Sequence, residues 1–173
     1  MPSDQGRLTD TELTMISRLE NLAEHGASPP ECRDIVEIAQ TTQSPSVRGA
    51  AAIALADLHV SGADAILIEL IGSAATKHYR GTLLYALDEW GGALPVGLAA
   101  ALLLEENYEG REETLMLINK QSLIGTVEDF DTAIAALKPM TASNDTYVAS
   151  VAKRATRWLR PLRRRVAQER RSA

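Results

Sequence analysis

The chain repeats itself with a period of about thirty residues. Laying Val47-Arg48-Gly49-Ala50-Ala51-Ala52-Ile53-Ala54-Leu55-Ala56-Asp57-Leu58 over Tyr79-Arg80-Gly81-Thr82-Leu83-Leu84-Tyr85-Ala86-Leu87-Asp88-Glu89-Trp90 matches Arg, Gly, Ala and Leu at a constant offset of 32. The next copy begins at Gly110-Arg111 and keeps Arg111, Leu115 and Ile118 in phase at an offset of 31. A degenerate copy, Tyr147 to Trp158, lies 68 residues beyond Tyr79 to Trp90. A period of this length with two helices per period predicts a right-handed α-solenoid, because a lone helical hairpin cannot bury its apolar face and must stack on the next.

Local signals agree with an all-α chain. Aromatic residues are 4% of the total, Phe130 is the sole Phe, and no long run alternates apolar and polar with the period of two that strands need. Helix starts carry a side-chain oxygen that can accept an orphan backbone N–H, often with Pro next or an acid three residues on: Thr9 with Glu12, Ser28-Pro29 with Glu31, Ser44-Pro45 and Thr126 with Asp129. Gly26, Gly62, Gly72, Gly91-Gly92, Gly110, Gly125 and Pro139 supply the stops. The spacing predicts helices over 10–25, 30–41, 46–59, 63–72, 77–90, 95–106, 110–120, 127–138 and 145–160, about four to five hairpins. An extension after Pro161 is the remaining option. At 173 residues and 45% hydrophobic content the chain fits a single domain, 1–173, with a flexible 1–9 and a basic tail over 161–173. A lone Cys32 offers neither a bridge nor a metal pair, which points to a reducing compartment. The polar start and the lack of a long apolar run point to the cytoplasm and away from a membrane.

The repeated pattern, aromatic or aliphatic residue-Arg-x-x-(Ala/Leu)-x-x-Ala-Leu after a turn, resembles the first helix of HEAT repeats. In that family the second helices of the hairpins line the concave side, which would put residues on 63–72, 95–106 and 127–138 in contact with a partner. Arg48, Arg80 and Arg111 fall in register and can be read in two ways. They could line a phosphate track, or form a structural ladder with acids such as Asp57, Asp88 or Glu112 through bidentate bonds. The ladder is the reading adopted.

Nothing in the sequence points to catalysis. It has no Gly-rich phosphate loop, His-Glu-x-x-His, paired-cysteine motif or Gly-x-Ser-x-Gly elbow. His25, His59 and His78 are scattered near helix ends, and neighbouring carboxylates such as Glu105-Glu106 point apart on a helix. No enzyme activity, metal or cofactor is expected.

Charge is divided sharply along the chain. Residues 1–152 hold 22 acids and 9 bases, a balance of −13, whereas 153–173 hold one acid and 9 bases, a balance of +8. Acids concentrate around Tyr108, in Glu105, Glu106, Glu109, Glu112 and Glu113, with Glu128, Asp129 and Asp131 on the following hairpin. Such a patch with an aromatic anchor suits a basic protein partner. The partner-binding set read from this is Asp64, Glu69, Glu105, Glu106, Tyr108, Glu109, Glu128 and Asp131, centred on Glu105, Glu106 and Glu109. In the tail, Arg157, Arg160 and Arg164 are candidate anion contacts. Trp158, Leu159, Leu162 and Val166 fall at helical spacing and would pack one face on the last repeat, leaving arginines outside.

The run Tyr79-Arg80-Gly81-Thr82-Leu83-Leu84-Tyr85-Ala86-Leu87, the Leu-rich 98–104, and Glu106-Asn107-Tyr108-Glu109-Gly110-Arg111-Glu112-Glu113-Thr114-Leu115 resemble the core of short HEAT-like immunity proteins of bacterial polymorphic toxin systems. The likeness spans about residues 45–120. It implies a small cytoplasmic antitoxin, without chemistry of its own, that blocks one cognate toxin domain, commonly a nuclease with a basic surface. The alternatives are a nucleic-acid-binding HEAT-like protein, glycosylase-type members included, using its basic C-terminal segment, and a general scaffold or an accessory subunit like the HEAT-like bilin lyases. The acidic body argues against a basic concave face, and the bilin lyases usually carry more repeats than fit here.

Overall fold

The computed structural model describes residues 8–172, so the proposed flexible start lies outside the described residues over 1–7. The fold is all-α. Its helices are α1 (Asp10–His25), α2 (Pro29–Thr41), α3 (Pro45–Asp57), α4 (Ala63–Gly72), α5 (Gly81–Trp90), α6 (Val96–Glu105), α7 (Tyr108–Asn119), α8 (Val127–Leu137) and α9 (Thr146–Ser172), with 3₁₀ turns at Ala74–Thr76 and Pro139–Ala142. Three starts are capping boxes, in which the side chains of Thr9 and Glu12, Ser28 and Glu31, and Thr126 and Asp129 exchange hydrogen bonds with each other's backbone N–H. Ser44 caps α3 ahead of Pro45.

The odd-numbered helices pack in chain order, α1 on α3, α3 on α5, α5 on α7 and α7 on α9. Of the even-numbered helices, α2 packs on α3 and α4, α4 also on α5, α6 on α7 and α8, and α8 on α9. Alanine in α3 makes the central contacts possible. Ala51, Ala52 and Leu55 are fully buried, and a Cβ built on Gly49 would meet the Thr82 methyl of α5 at 3.2 Å. One core cluster gathers Leu19, Ile35, Leu55, Leu67 and Leu84, and a second gathers Phe130, Leu103, Ile118 and Leu159. Each fully buried Leu or Ile contributes about 1.5–3 kcal/mol by leaving water.

The turns repeat as the sequence does. Val60 donates to the Leu55 carbonyl at 3.1 Å, Gly92 to Leu87 at 2.9 Å and Ser122 to Leu117 at 3.0 Å, and the residue before each donor, His59, Gly91 or Gln121, has positive φ. These are the bonds of a Schellman stop, which satisfies the last carbonyls of α3, α5 and α7. Only Gly91 adopts that backbone without steric cost. Two of the connecting segments also pair, Leu94–Pro95 beside Leu123–Ile124 as a short parallel bridge, an addition to the all-helical expectation.

Three local expectations are corrected. The helix placed over 77–90 starts at Gly81, because the turn before it is held from the next hairpin: the Asn107 Nδ2 donates to the His78 carbonyl at 3.0 Å. Gly110 is not a stop but sits in the first turn of α7, where its N–H donates to Asn107 Oδ1. The last helix does not end near 160 or fray into a tail. It runs through Pro161 to Ser172, with Leu159 and Leu162 buried on either side of the proline.

Candidate functional site

The starts of α3, α5 and α7 lie along one edge of the molecule, since these helices pack in succession. Tyr79, just ahead of α5, and Tyr108, the first residue of α7, are the most exposed large hydrophobic side chains among the described residues, at 61% and 68%. Beside Tyr79 opens a groove of about 380 Å³ bordered by Glu12, Ser46, His78, Thr82 and Glu109. The Glu109 carboxylate lies directly over Gly81 at the N-terminus of α5, in space that any Cβ would occupy. A carboxylate there is stabilised by the unpaired N–H groups and the helix dipole. Glu12 accepts from Thr9 N–H at 2.8 Å, and hydrogen bonds from Ser44 and Thr9 hold its carboxyl below the ordinary value. Tyr108 stacks on Tyr147 with ring centroids 5.1 Å apart. Burial, then the Glu112 charge, pushes the Tyr147 phenol up to about 12, so Tyr147 is neutral across the physiological range. Carboxylates beside exposed aromatic rings have the charge and the π-faces to which a lysine or arginine side chain is attracted.

Of the eight proposed partner contacts, the structure keeps Tyr108, Glu105 and Glu109 together on this edge. Glu105 is exposed, its closest cation being Lys77 at 3.9 Å. Glu106 is a correction: it is 3% exposed, and its Oε1 accepts from Arg80 Nη1 at 2.7 Å inside the protein. A guanidinium taken out of water needs a counter-charge, and Glu106 supplies it. Glu128 and Asp131 are turned toward α9. Asp131 receives Arg163 through two hydrogen bonds of 3.0 and 2.8 Å, and Glu128 lies 3.6 Å from Arg170. Asp64 and Glu69 sit on α4, whose main neighbours are α5 and α2, so they belong to another face. Tyr79 and Glu12 were missed. Tyr79 shares a repeat register with buried Val47, and only the late start of α5 leaves it outside the core.

Arg48, Arg80 and Arg111 occupy one recurring position, but not with the acids expected for them. Arg48 donates to the Thr42 carbonyl, Arg80 Nη2 to Ser73 at 2.8 Å, and Arg111 to Leu103 and Leu104 at 3.0 and 3.2 Å. Each guanidinium thus closes the C-terminal end of the preceding even-numbered helix, where orphan carbonyls and the dipole favour a cation. Asp88 instead pairs with Lys120 at 2.5 Å and Glu112 with Arg154 at 3.1 Å, while Asp57 joins no ion pair among the described residues.

The basic end is divided by the same pairing. Arg154, which also lies 5.4 Å over the Trp158 ring, Arg163 and Arg170 are matched with body acids, and Arg165 Nη1 donates to Gln121 at 2.6 Å. Lys153, Arg157, Arg160 and Arg164 are exposed and make no ion pair among the described residues. They border a separate open groove.

Among the described residues no cluster of three or more His, Cys, Asp or Glu is placed to hold a metal ion, and no helix is long and apolar enough to cross a membrane. Compared with known proteins, the chain matches no family model, no curated protein and no solved structure.

Proposed function

We propose that the chain is a right-handed solenoid of HEAT-like hairpins acting as a non-catalytic protein-binding module, an immunity protein that binds and neutralises a cognate bacterial toxin in the cytoplasm. The solenoid reading is supported by the recurrence of the Schellman stops and of the Arg48, Arg80 and Arg111 caps at the sequence period. The observation that carries the binding role is the edge on which Tyr79 and Tyr108 stand exposed beside Glu12, Glu105 and Glu109. Exposed aromatics of this size are unfavourable in water and are the residue types that anchor interfaces, and flanking acids select a basic partner and speed its approach. A nuclease domain presents such a basic surface to its substrate, which makes it the favoured target.

The test is co-expression with the product of the adjacent upstream gene, followed by co-purification and growth. The expected result is a stable one-to-one complex and rescue of growth, both lost in a Tyr108→Ala, Glu105→Lys, Glu109→Lys triple variant whose helicity is unchanged. Rescue at full strength by that variant would remove the edge from the interface. Absence of both toxicity and binding would remove the immunity role.

A further inference from the structure

The fold sorts seven of the nine cations of the last helix into two sets, one of which makes no ion pair among the described residues. Arg154, Arg163 and Arg170 each meet a body acid. Lys153, Arg157, Arg160 and Arg164 are spaced by four, three and four residues, so they fall on a single face of α9 and extend about 17 Å along its axis at 1.5 Å per residue. Together with Thr141, Thr156 and Pro161 they border an open groove of about 540 Å³ whose lining holds no carboxylate among the described residues. Four cations held side by side repel one another. That repulsion is relieved by an anion with several acceptor oxygens.

We infer that this face of α9 is a binding site for the phosphodiester backbone of a nucleic-acid duplex, separate from the aromatic edge at the starts of α5 and α7. A row of charges along one axis matches a polymer of regularly spaced phosphates better than a single phosphate group. A bilayer surface is disfavoured, because the apolar face of α9 is consumed by the core: Val151, Ala155, Leu159 and Leu162 are all buried and no apolar wedge remains to insert. A single strand is disfavoured because the groove has no aromatic ring on which bases could stack; Trp158 lies on the other side, under Arg154. Contacts to phosphates alone carry no sequence preference.

The full chain is titrated against a fluorescent short DNA duplex, and its affinity is followed between about 50 and 200 mM salt. Four neutralised phosphates give a log–log salt slope of about −3.6, a loss on the order of a hundredfold over that range. The Arg157→Gln, Arg160→Gln, Arg164→Gln variant is expected to fold unchanged, since all three side chains are exposed, and to reduce the slope to about −0.9, the share of Lys153 alone. An Arg154→Gln, Arg170→Gln variant, which removes paired cations and leaves Arg163 on Asp131, retains most of the slope. The inference is overturned by an absence of duplex binding at the low-salt end, by an unchanged slope in the triple variant, or by an equal loss in the paired-cation variant. It is also overturned if phosphatidylserine-containing phosphatidylcholine vesicles bind the chain and the duplex does not.

Discussion

Arg80 and Glu106 form an ion pair of 2.7 Å between the start of α5 and the end of α6, with side chains 8% and 0% exposed. Arg80 also closes α4 through Ser73, so one guanidinium ties three helices together. Breaking a buried pair from one side leaves the other charge stranded, which costs about 3–5 kcal/mol. Glu106→Ala is expected to lower unfolding stability by about that amount in urea titration, and Arg80→Met, Glu106→Leu together by much less. Similar losses in the single and double variants would mean that packing, not charge, is what the pair supplies.

Gly81 offers a test of the proposed docking edge that leaves its charges unaltered. A methyl group at this position meets the carboxyl end of Glu109, a flexible side chain that can swing away. Gly81→Ala also reduces the freedom of the unfolded chain at a backbone that alanine can adopt, a gain of about 0.4–1 kcal/mol. The expected outcome is a thermal midpoint equal to or above that of the parent, with partner affinity reduced because Glu109 has left its place beside Tyr79. Calorimetric unfolding and a binding titration separate the two effects.

Helix starts were legible because their chemistry is local. Thr9 with Glu12 and Thr126 with Asp129 need only each other, three residues apart, and the structure has both boxes. The errors fall where a distant residue decides. The turn at 77–80 is held by Asn107, about thirty positions on, and Glu106 is interior only because Arg80 reaches it across 26 residues. Glu128 and Asp131 read as free surface until α9 returns along α8 and brings Arg170 and Arg163 to them. Charge composition registers such acids without revealing which are already matched. The arginine face of α9 was partly legible, since Arg157, Arg160 and Arg164 fall on one helical stripe, whereas the absence of acids opposite them is a tertiary fact.

Stability should fall on the acid side. Hydrogen bonds from Ser44 and Thr9, from Ser28, and from Thr126 hold the carboxyls of Glu12, Glu31 and Asp129 below their ordinary values, and Arg163 does the same for Asp131. A depressed folded value means that the stabilisation is complete above the unfolded value and lost as pH falls through the folded one. The loss therefore begins below the ordinary glutamate value of 4.5 and continues past the aspartate value of 3.8. Asp131→Asn should flatten the lower part of that decline in thermal melts recorded from neutral pH downward.

Glu113 has the opposite sign. Burial, then the charges of Asp88 and Glu109, raise its carboxyl above 4.5. The folded state thus prefers the protonated form, and the stability linked to it is present below the unfolded value and lost as pH rises through the folded one. Glu113→Gln imitates the protonated side chain. It should raise the melting midpoint at neutral pH, with the gain disappearing as pH falls below 4.5.

Pro161 interrupts the hydrogen-bond ladder of α9 without ending the helix, and what holds the helix across it is contact with the body. A proline has no N–H for the carbonyl four residues back and clashes with it, a cost of about 3 kcal/mol relative to alanine in a helix interior. The turns on both sides are fixed: Arg154 pairs with Glu112 before it, Arg163 makes two hydrogen bonds to Asp131 after it, and Leu159 and Leu162 are buried between. Pro161→Ala should therefore stabilise the protein, by up to about 3 kcal/mol if the missing hydrogen bond and the clash are both repaired in full. Arg163→Gln should do the reverse locally, releasing the turns beyond Pro161 while the rest of the fold persists. Hydrogen exchange across 162–172 measures this directly. Protection there that survives Arg163→Gln would show that Leu162 and Val166 alone seat the end of the helix.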